Sequence, residues 1–336
     1  MERMFRELVD WIEIPSVTGA EGDYGDALEG ALAARGLGVE RQEVEPGRFN
    51  LLARAGEPEV VFCTPLDTVP PFFGSRVASG HIHGRGSCDA KGQVAAMLLA
   101  AEQLLAEGED RIGFLLTVGE ELDSDGAAHA NQHASGPWPG RWTIIGEPTG
   151  NRFVRAHKGI LKAELLAHGV AGHSSQDVGP SAIHELVHTC ARMLDAGWGE
   201  DEILGRGTLN VGILDGGLAP NVVAPQARAQ LMVRTVESAR DSLARLEGFL
   251  GEHVELERIA KATEPVVFEV PEGEDSEVVA FGTDAPHLRR WGTPLLFGCG
   301  SILDAHTDHE KVAMRDVEEC AARHVRTARE LLARGA

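Results

Sequence analysis

Apolar side chains at Phe5, Leu8, Val9 and Ile12 recur three and four residues apart, so the chain opens with an amphipathic helix. A second helix is expected over Glu21 to Arg35, with Leu28 and Leu32 inward and Gly36 at its end. Short apolar runs at Asn50 to Ala53 and Val60 to Cys63 suit strands. Gln93 to Ala106 reads as a strongly apolar helix, Gly113 to Val118 as a buried strand and Ser124 to His133 as a helix. Trp142 to Ile145 is then a strand stopped by Gly146. Strands alternating with helices at these lengths predict an α/β unit, a mostly parallel sheet covered by helices.

From Phe153 the rhythm changes. Phe153 to Ala167 alternates, Ser181 to Leu194 is helical, and Thr208 to Ile213 and Arg228 to Arg234 read as strands. Val236 to Leu250 follows as helix and Val254 to Ile259 as strand, the order of a small α+β unit with an antiparallel sheet. After Pro265 the first rhythm returns. Pro294 to Phe297 is a short strand, and Val317 to Leu332 a helix with Cys320, Ala321, His324, Ala328 and Leu331 on one face. The expectation is a discontinuous α/β domain, residues 1–154 and 265–336, with an α+β domain, residues 155–264, inserted into it.

The 336 residues carry a formal net charge of -21, which argues against nucleic acid or anionic membrane as a partner, since phosphate binding needs a basic surface. Glu2, Glu7, Asp10 and Glu13 interrupt the N-terminal apolar positions, so no targeting signal is expected there. Five cysteines without C-x-x-C spacing suit reduced thiols, and the expected location is cytoplasmic.

Four segments place acidic residues at the end of an expected strand or in the loop after it, the edge where open parallel sheets build their sites. They are Pro65-Leu66-Asp67, Gly84-Arg85-Gly86-Ser87-Cys88-Asp89, Gly119-Glu120-Glu121 and Gly146-Glu147-Pro148-Thr149; Ala305-His306-Thr307 is a fifth, near the C-terminus. In extended backbone Glu120 and Glu121 would point opposite ways. One could then hold a metal while the other stays free as a general base, two roles a hydrolase needs side by side.

Together these segments resemble the two-metal peptidase family of aminoacylases, acetylornithine deacetylases, succinyl-diaminopimelate desuccinylases and carboxypeptidases. The resemblance implies a metal-dependent hydrolase of amide bonds in N-acyl amino acids or small peptides. It makes Asp89 the carboxylate bridging two metals, Glu121 and His306 ligands of one ion and Glu147 a ligand of the other, with Glu120 the general base. It also implies that the inserted domain is a lid and dimerisation domain, giving a homodimer in which His173 of Gly172-His173-Ser174-Ser175 steadies the oxyanion from the partner subunit. Asn221 and Arg234 map to the grip on the substrate carboxylate, a task that suits the planar guanidinium. Gly298-Cys299-Gly300-Ser301-Ile302 looks most like the acetylornithine deacetylase branch and adds Gly300 and Ser301 to the substrate site. Zn2+ is the implied metal, with Co2+ or Mn2+ as alternatives.

One departure stands out. Where the family has its first metal-binding histidine, two residues before Asp67, this chain has Pro65, which offers a metal no lone pair. One site keeps Asp89, Glu121 and His306, a three-ligand set with room for water; the other keeps only Asp89 and Glu147. The expectation is one tight ion and an impaired second site, with Asp67 deprived of the histidine it would orient. Cys63, His81 and His83 are the candidate substitutes, the two histidines being expected in a solvated turn. An alternative is a chain that has lost catalysis and survives as a binding or regulatory protein; a dipeptidase or carboxypeptidase of the same family is another. His129 and His133, His184 and His188, His157 and His168, and Cys88 read as ordinary structural or surface residues.

Overall fold

The computed structural model describes residues 2–136 and 138–334. The chain begins with helix α1 (Glu2–Ile12), which buries Met4, Leu8, Trp11 and Ile12, followed by α2 (Gly22–Ala33). A hairpin of β1 (Gly38–Glu45) and β2 (Arg48–Arg54) leads to β3 (Val60–Pro65), every residue of which is buried. Two short strands, β4 (Arg76–Ala78) and β5 (His81–His83), precede helix α3 (Lys91–Ala106). Then come β6 (Ile112–Thr117), α4 (Asp125–His133), β7 (Trp142–Ile145) and β8 (Phe153–His157).

Along β8 the chain passes into a second compact unit, residues 156–267 with 278–282. It contains β9 (Gly159–His168), β10 (Gly172–His173), α5 (Ala182–Asp195), β11 (Thr208–Gly216), β12 (Val222–Val223), β13 (Gln226–Thr235), α6 (Ala239–Glu247) and β14 (Val254–Thr263). Four of these form an antiparallel sheet in the order β11-β13-β9-β14, and Leu186, Cys190 and Met193 of α5 pack on it with Leu161, Leu165 and Leu231. Helix α6 starts at Ala239 because the Ser238 side chain caps it, accepting the Asp241 N–H at 3.1 Å. The chain returns to the first unit with β15 (Thr293–Leu296), β16 (Lys311–Ala313) and α7 (Met314–Ala333).

In the first unit the central sheet runs β1-β2-β6-β3-β7-β15-β8. Its middle strands β6, β3, β7 and β15 are parallel to one another, whereas β1, β2 and β8 join antiparallel at the flanks. The mostly parallel expectation thus describes the centre. Helices α3 and α7 cover one face with Val94, Leu98, Val317 and Val325, and the full expected face of α7 is buried. The buried parallel strands explain the unbroken apolar runs, because a strand covered on both faces has no need of alternation. A small antiparallel sheet, β16-β5-β4, stands beside this core, so His81 and His83 lie on a strand rather than in a turn.

This topology places the site. All four parallel strands run toward one edge, where Pro65, Thr117, Ile145 and Leu296 end them. The loops leaving that edge carry Asp67, Glu120 and Glu121, Glu147, and the segment from Gly298 to His306.

Candidate metal centre

Asp89, Glu121 and His306 converge from three loops far apart in sequence. One ligand atom from each lies within 4.8 Å of the others, and among the described residues this is the only such group of three. His306 Nε2 is 3.1 Å from Asp89 Oδ2 and 3.1 Å from Glu121 Oε1. The two carboxylates, foremost Asp89, push the His306 imidazole up to about 10. A proton there binds the same two oxygens that a divalent cation would, so proton and metal compete for one place.

Glu120 and Glu121 are not in extended backbone as the sequence suggested. They follow Gly119, at φ +77°, in the turn after β6. A Cβ at residue 119 would lie 1.8 Å from Asp125 Oδ1, so glycine is required there. Asp67 fixes this turn. Its carboxylate accepts the N–H groups of Glu120 at 3.0 Å and Glu121 at 3.1 Å, and the Thr18 hydroxyl at 2.7 Å. Burial nevertheless holds Asp67 at about 6, above the carboxylate range, and the hydrogen bonds only partly offset it.

Around the triad the carboxylates crowd. Burial, reinforced by Asp284, Glu121, Asp67 and Asp89, drives Glu120 well above the usual range, and Glu121 rises to about 7. Glu147 is 5% exposed and shifted the same way by burial and by Asp89, and among the described residues its Oε1 has no hydrogen-bond partner. A buried acceptor without a donor costs free energy, and so does packing like charges together; a cation among them relieves both. The imidazole and two carboxylates fit a zinc-type ion.

Pro65 ends β3 opposite Thr117 of β6. Cys63 on the same strand is fully buried, and burial pushes its thiol up, away from the thiolate a metal would need. Among the described residues, neither Cys63 nor His83 joins a group of three around Glu147. Gly300, at φ +74°, leaves room for the Cys88 sulfur, which a Cβ would approach to 2.6 Å. Gly300 O accepts from Gly150 N at 2.6 Å, tying this loop to the one bearing Glu147, while the Ser301 side chain accepts the Leu303 N–H at 3.2 Å.

Within the second unit, His173 and Asn221 are neighbours: His173 of β10 pairs with Val222 of β12, and Ser174 N donates to Asn221 O at 3.1 Å. His173 Nδ1 accepts the Ser175 N–H at 3.2 Å, so a neutral ring carries its proton on Nε2. Arg234 lies in β13, half buried and with no ion-pair partner among the described residues, and burial lowers its pKa. His129 and His133 stack on α4 with centroids 4.1 Å apart, and His168 pairs with Glu255 at 3.0 Å.

Two partners escaped the sequence reading. Thr18 steadies Asp67. Asp284, 2% exposed, accepts the Thr117 hydroxyl at 2.7 Å and bears on Glu120, Glu147 and Cys63.

The peptidase family M20/M25/M40 model matches residues 62–330. The chain is 36% identical over 323 residues to a peptidase M20 domain-containing protein of Schizosaccharomyces pombe, covering 92% of this chain and 80% of that one. It is 34% identical over 356 residues to a probable carboxypeptidase of Aspergillus oryzae, covering 92% and 85%. Among solved structures, a Staphylococcus aureus tripeptidase superposes with TM-score 0.83 at 21% identity over 98% of both chains. A dinuclear metal binding peptidase of Bacillus subtilis superposes with TM-score 0.71 at 12% identity, covering 99% and 98%.

Proposed function

Because this chain belongs to the M20/M25/M40 family of metallopeptidases, which hydrolyse amide and peptide bonds, we propose that it cleaves the amide joining an acyl or aminoacyl group to an amino acid with a free carboxylate. The observation that carries this reading is the meeting of Asp89, Glu121 and His306 with Glu120 on the adjoining residue. When bound, a divalent cation would polarise the amide carbonyl and acidify water. Asp89, Glu121 and His306 would hold it. Glu120 accepts the proton of the attacking water and returns it to the leaving amine. Its crowded, desolvated carboxylate suits a group that must both take and give a proton. His173, with its proton on Nε2, donates to the oxyanion, and Arg234 with Asn221 holds the substrate carboxylate.

Pro65 supports one tight ion, zinc by its donor set, with Asp89 and Glu147 alone for a second. The Gly298–Ile302 motif favours an N-acetyl amino acid as substrate. The likeness to a probable carboxypeptidase of Aspergillus oryzae favours instead a carboxypeptidase acting on peptides. Both share the scissile amide and the terminal carboxylate. A homodimer acting in the cytoplasm completes the proposal; five free, buried cysteines suit a reducing compartment, and no described helix is long and apolar enough to cross a membrane.

The test is a panel of N-acetyl amino acids and dipeptides, each assayed with zinc, cobalt and manganese, with Glu120→Ala as control. Turnover abolished by that change supports the enzyme. Ligand binding without turnover under every metal would favour a binding protein instead.

A further inference from the structure

The triad depends on two loops, one bearing Asp89 and one bearing His306, and a fully buried ion pair joins them. Glu310 is 0% exposed and Arg85 2% exposed. Arg85 Nη1 donates to Glu310 Oε2 at 2.6 Å. The other carboxylate oxygen, Oε1, accepts the backbone N–H groups of Cys88 at 2.9 Å and Asp89 itself at 3.0 Å. The backbone joins in, with Gly84 N donating to Glu310 O at 3.1 Å, just before β16 pairs with β5. Arg85 is pinned in turn: its Nε donates to Pro71 O at 3.2 Å and its guanidinium lies 5.0 Å from the Phe73 ring centre.

A buried ion pair is a costly way to hold a fold, and well-packed apolar residues of similar volume often serve stability as well or better. No apolar pair, however, could accept the N–H groups of residues 88 and 89. Those two amides set the direction in which the Asp89 side chain leaves the backbone. Glu310 is also only four residues from His306, whose ring must meet Asp89 at 3.1 Å. One carboxylate therefore registers the two loops against each other, and Arg85 cancels its charge so that Glu310 itself does not compete for the cation.

We propose that Glu310, neutralised by Arg85, is a positioning residue that sets the Asp89–His306 geometry and thereby the affinity for the metal. This rests on the reading of Asp89, Glu121 and His306 as ligands. The test titrates zinc by calorimetry into metal-free full-length protein, for the native chain and the Glu310→Gln, Arg85→Lys and His306→Ala variants. Folding of each is checked by circular dichroism. Glu310→Gln keeps the size but cannot serve both the two amides and Arg85, so zinc affinity should fall roughly 10- to 100-fold, the usual range for a residue that orients a ligand. Arg85→Lys should lose affinity in the same direction and to a lesser degree. Cobalt-loaded Glu310→Gln should show a changed visible absorption spectrum, a readout that mere loss of stability would not move.

If His306→Ala abolishes binding while both folded variants keep native affinity and spectrum, the proposal falls and the ligand reading survives. Native affinity in His306→Ala would instead remove the ligand reading beneath it. Failure of both pair variants to fold, with His306→Ala folding normally, would assign the pair to the fold rather than the ion and overturn the proposal as well.

Discussion

Asp67 shows how a side chain can keep a site when the partner it was expected to serve is gone. With proline at residue 65 there is no histidine to orient, yet the carboxylate accepts both amides of the Glu120–Glu121 turn and the Thr18 hydroxyl. Asp67→Asn offers one acceptor where two are used and turns an N–H donor toward N–H donors. It should cost about 1–3 kcal/mol of stability for the unmatched buried groups and lower kcat more than it raises KM. Denaturant titration and steady-state kinetics check this; unchanged values for both would leave the turn independent of Asp67. Pro65→His tests the missing ligand directly. Protein loaded with excess zinc and then desalted should retain about one ion per native chain and about two in the variant. Two tight ions in the native chain, or no gain in the variant, would contradict the account of residue 65. The motifs carrying Glu121 and His306 were legible because each comes after an apolar strand, and the one carrying Asp89 because Gly84-Arg85-Gly86 leads into it. Thr18 and Asp284 were not, because what makes them matter is a partner 49 or 167 residues away.

Helix and strand periodicity exposed the elements with a continuous apolar face and missed those without one. β1 (Gly38–Glu45) is polar on both faces, with every residue exposed or only partly buried, and only its pairing with β2 makes it a strand. β4, β5 and β16 are three residues each, too short for a period to register. The alternating run from Phe153 to Ala167 is two strands, broken at Lys158 shortly after the chain has left one unit for the other within β8. In α7 the face expected to turn inward is buried, but its most consequential member is polar. His324 is completely buried, neither ring nitrogen has a partner among the described residues, and the Phe62 and Phe297 rings lie 5.3 Å and 4.4 Å away. Burial lowers its pKa to about 3, against about 6.5 in the unfolded chain. The unfolded state therefore binds the extra proton first. The contribution of this residue to stability is intact above pH ~6.5 and is lost as pH falls toward ~3, at up to ~1.4 kcal/mol per pH unit. Replacing the ring by an apolar side chain, His324→Met, should flatten the fall in thermal midpoint between pH 8 and pH 5. Equal falls in both proteins would mean that acid sensitivity arises elsewhere.

The division of the chain into two units raises the question of which copy supplies the oxyanion donor. Glu120 belongs to the α/β unit and His173 to the α+β unit. The proposed homodimer has His173 serving the partner's catalytic residues, and subunit exchange can test that without any structure of the dimer. Glu120→Ala and His173→Ala homodimers should each be nearly inactive, the latter by roughly 100- to 1,000-fold in kcat for loss of a donor to the oxyanion. If His173 acts across the interface, a mixed dimer has one site lacking both groups and one site with both intact. Random exchange makes half the dimers mixed, with one native site of two, so about a quarter of native activity should return. If His173 serves its own chain, every site in every dimer keeps a defect and mixing restores nothing. The argument needs only that the subunits exchange, which sedimentation of a size-tagged mixture reports independently. A monomer in that experiment, active on the substrate panel, would exclude action across subunits, because a monomer must find all its catalytic groups in one chain.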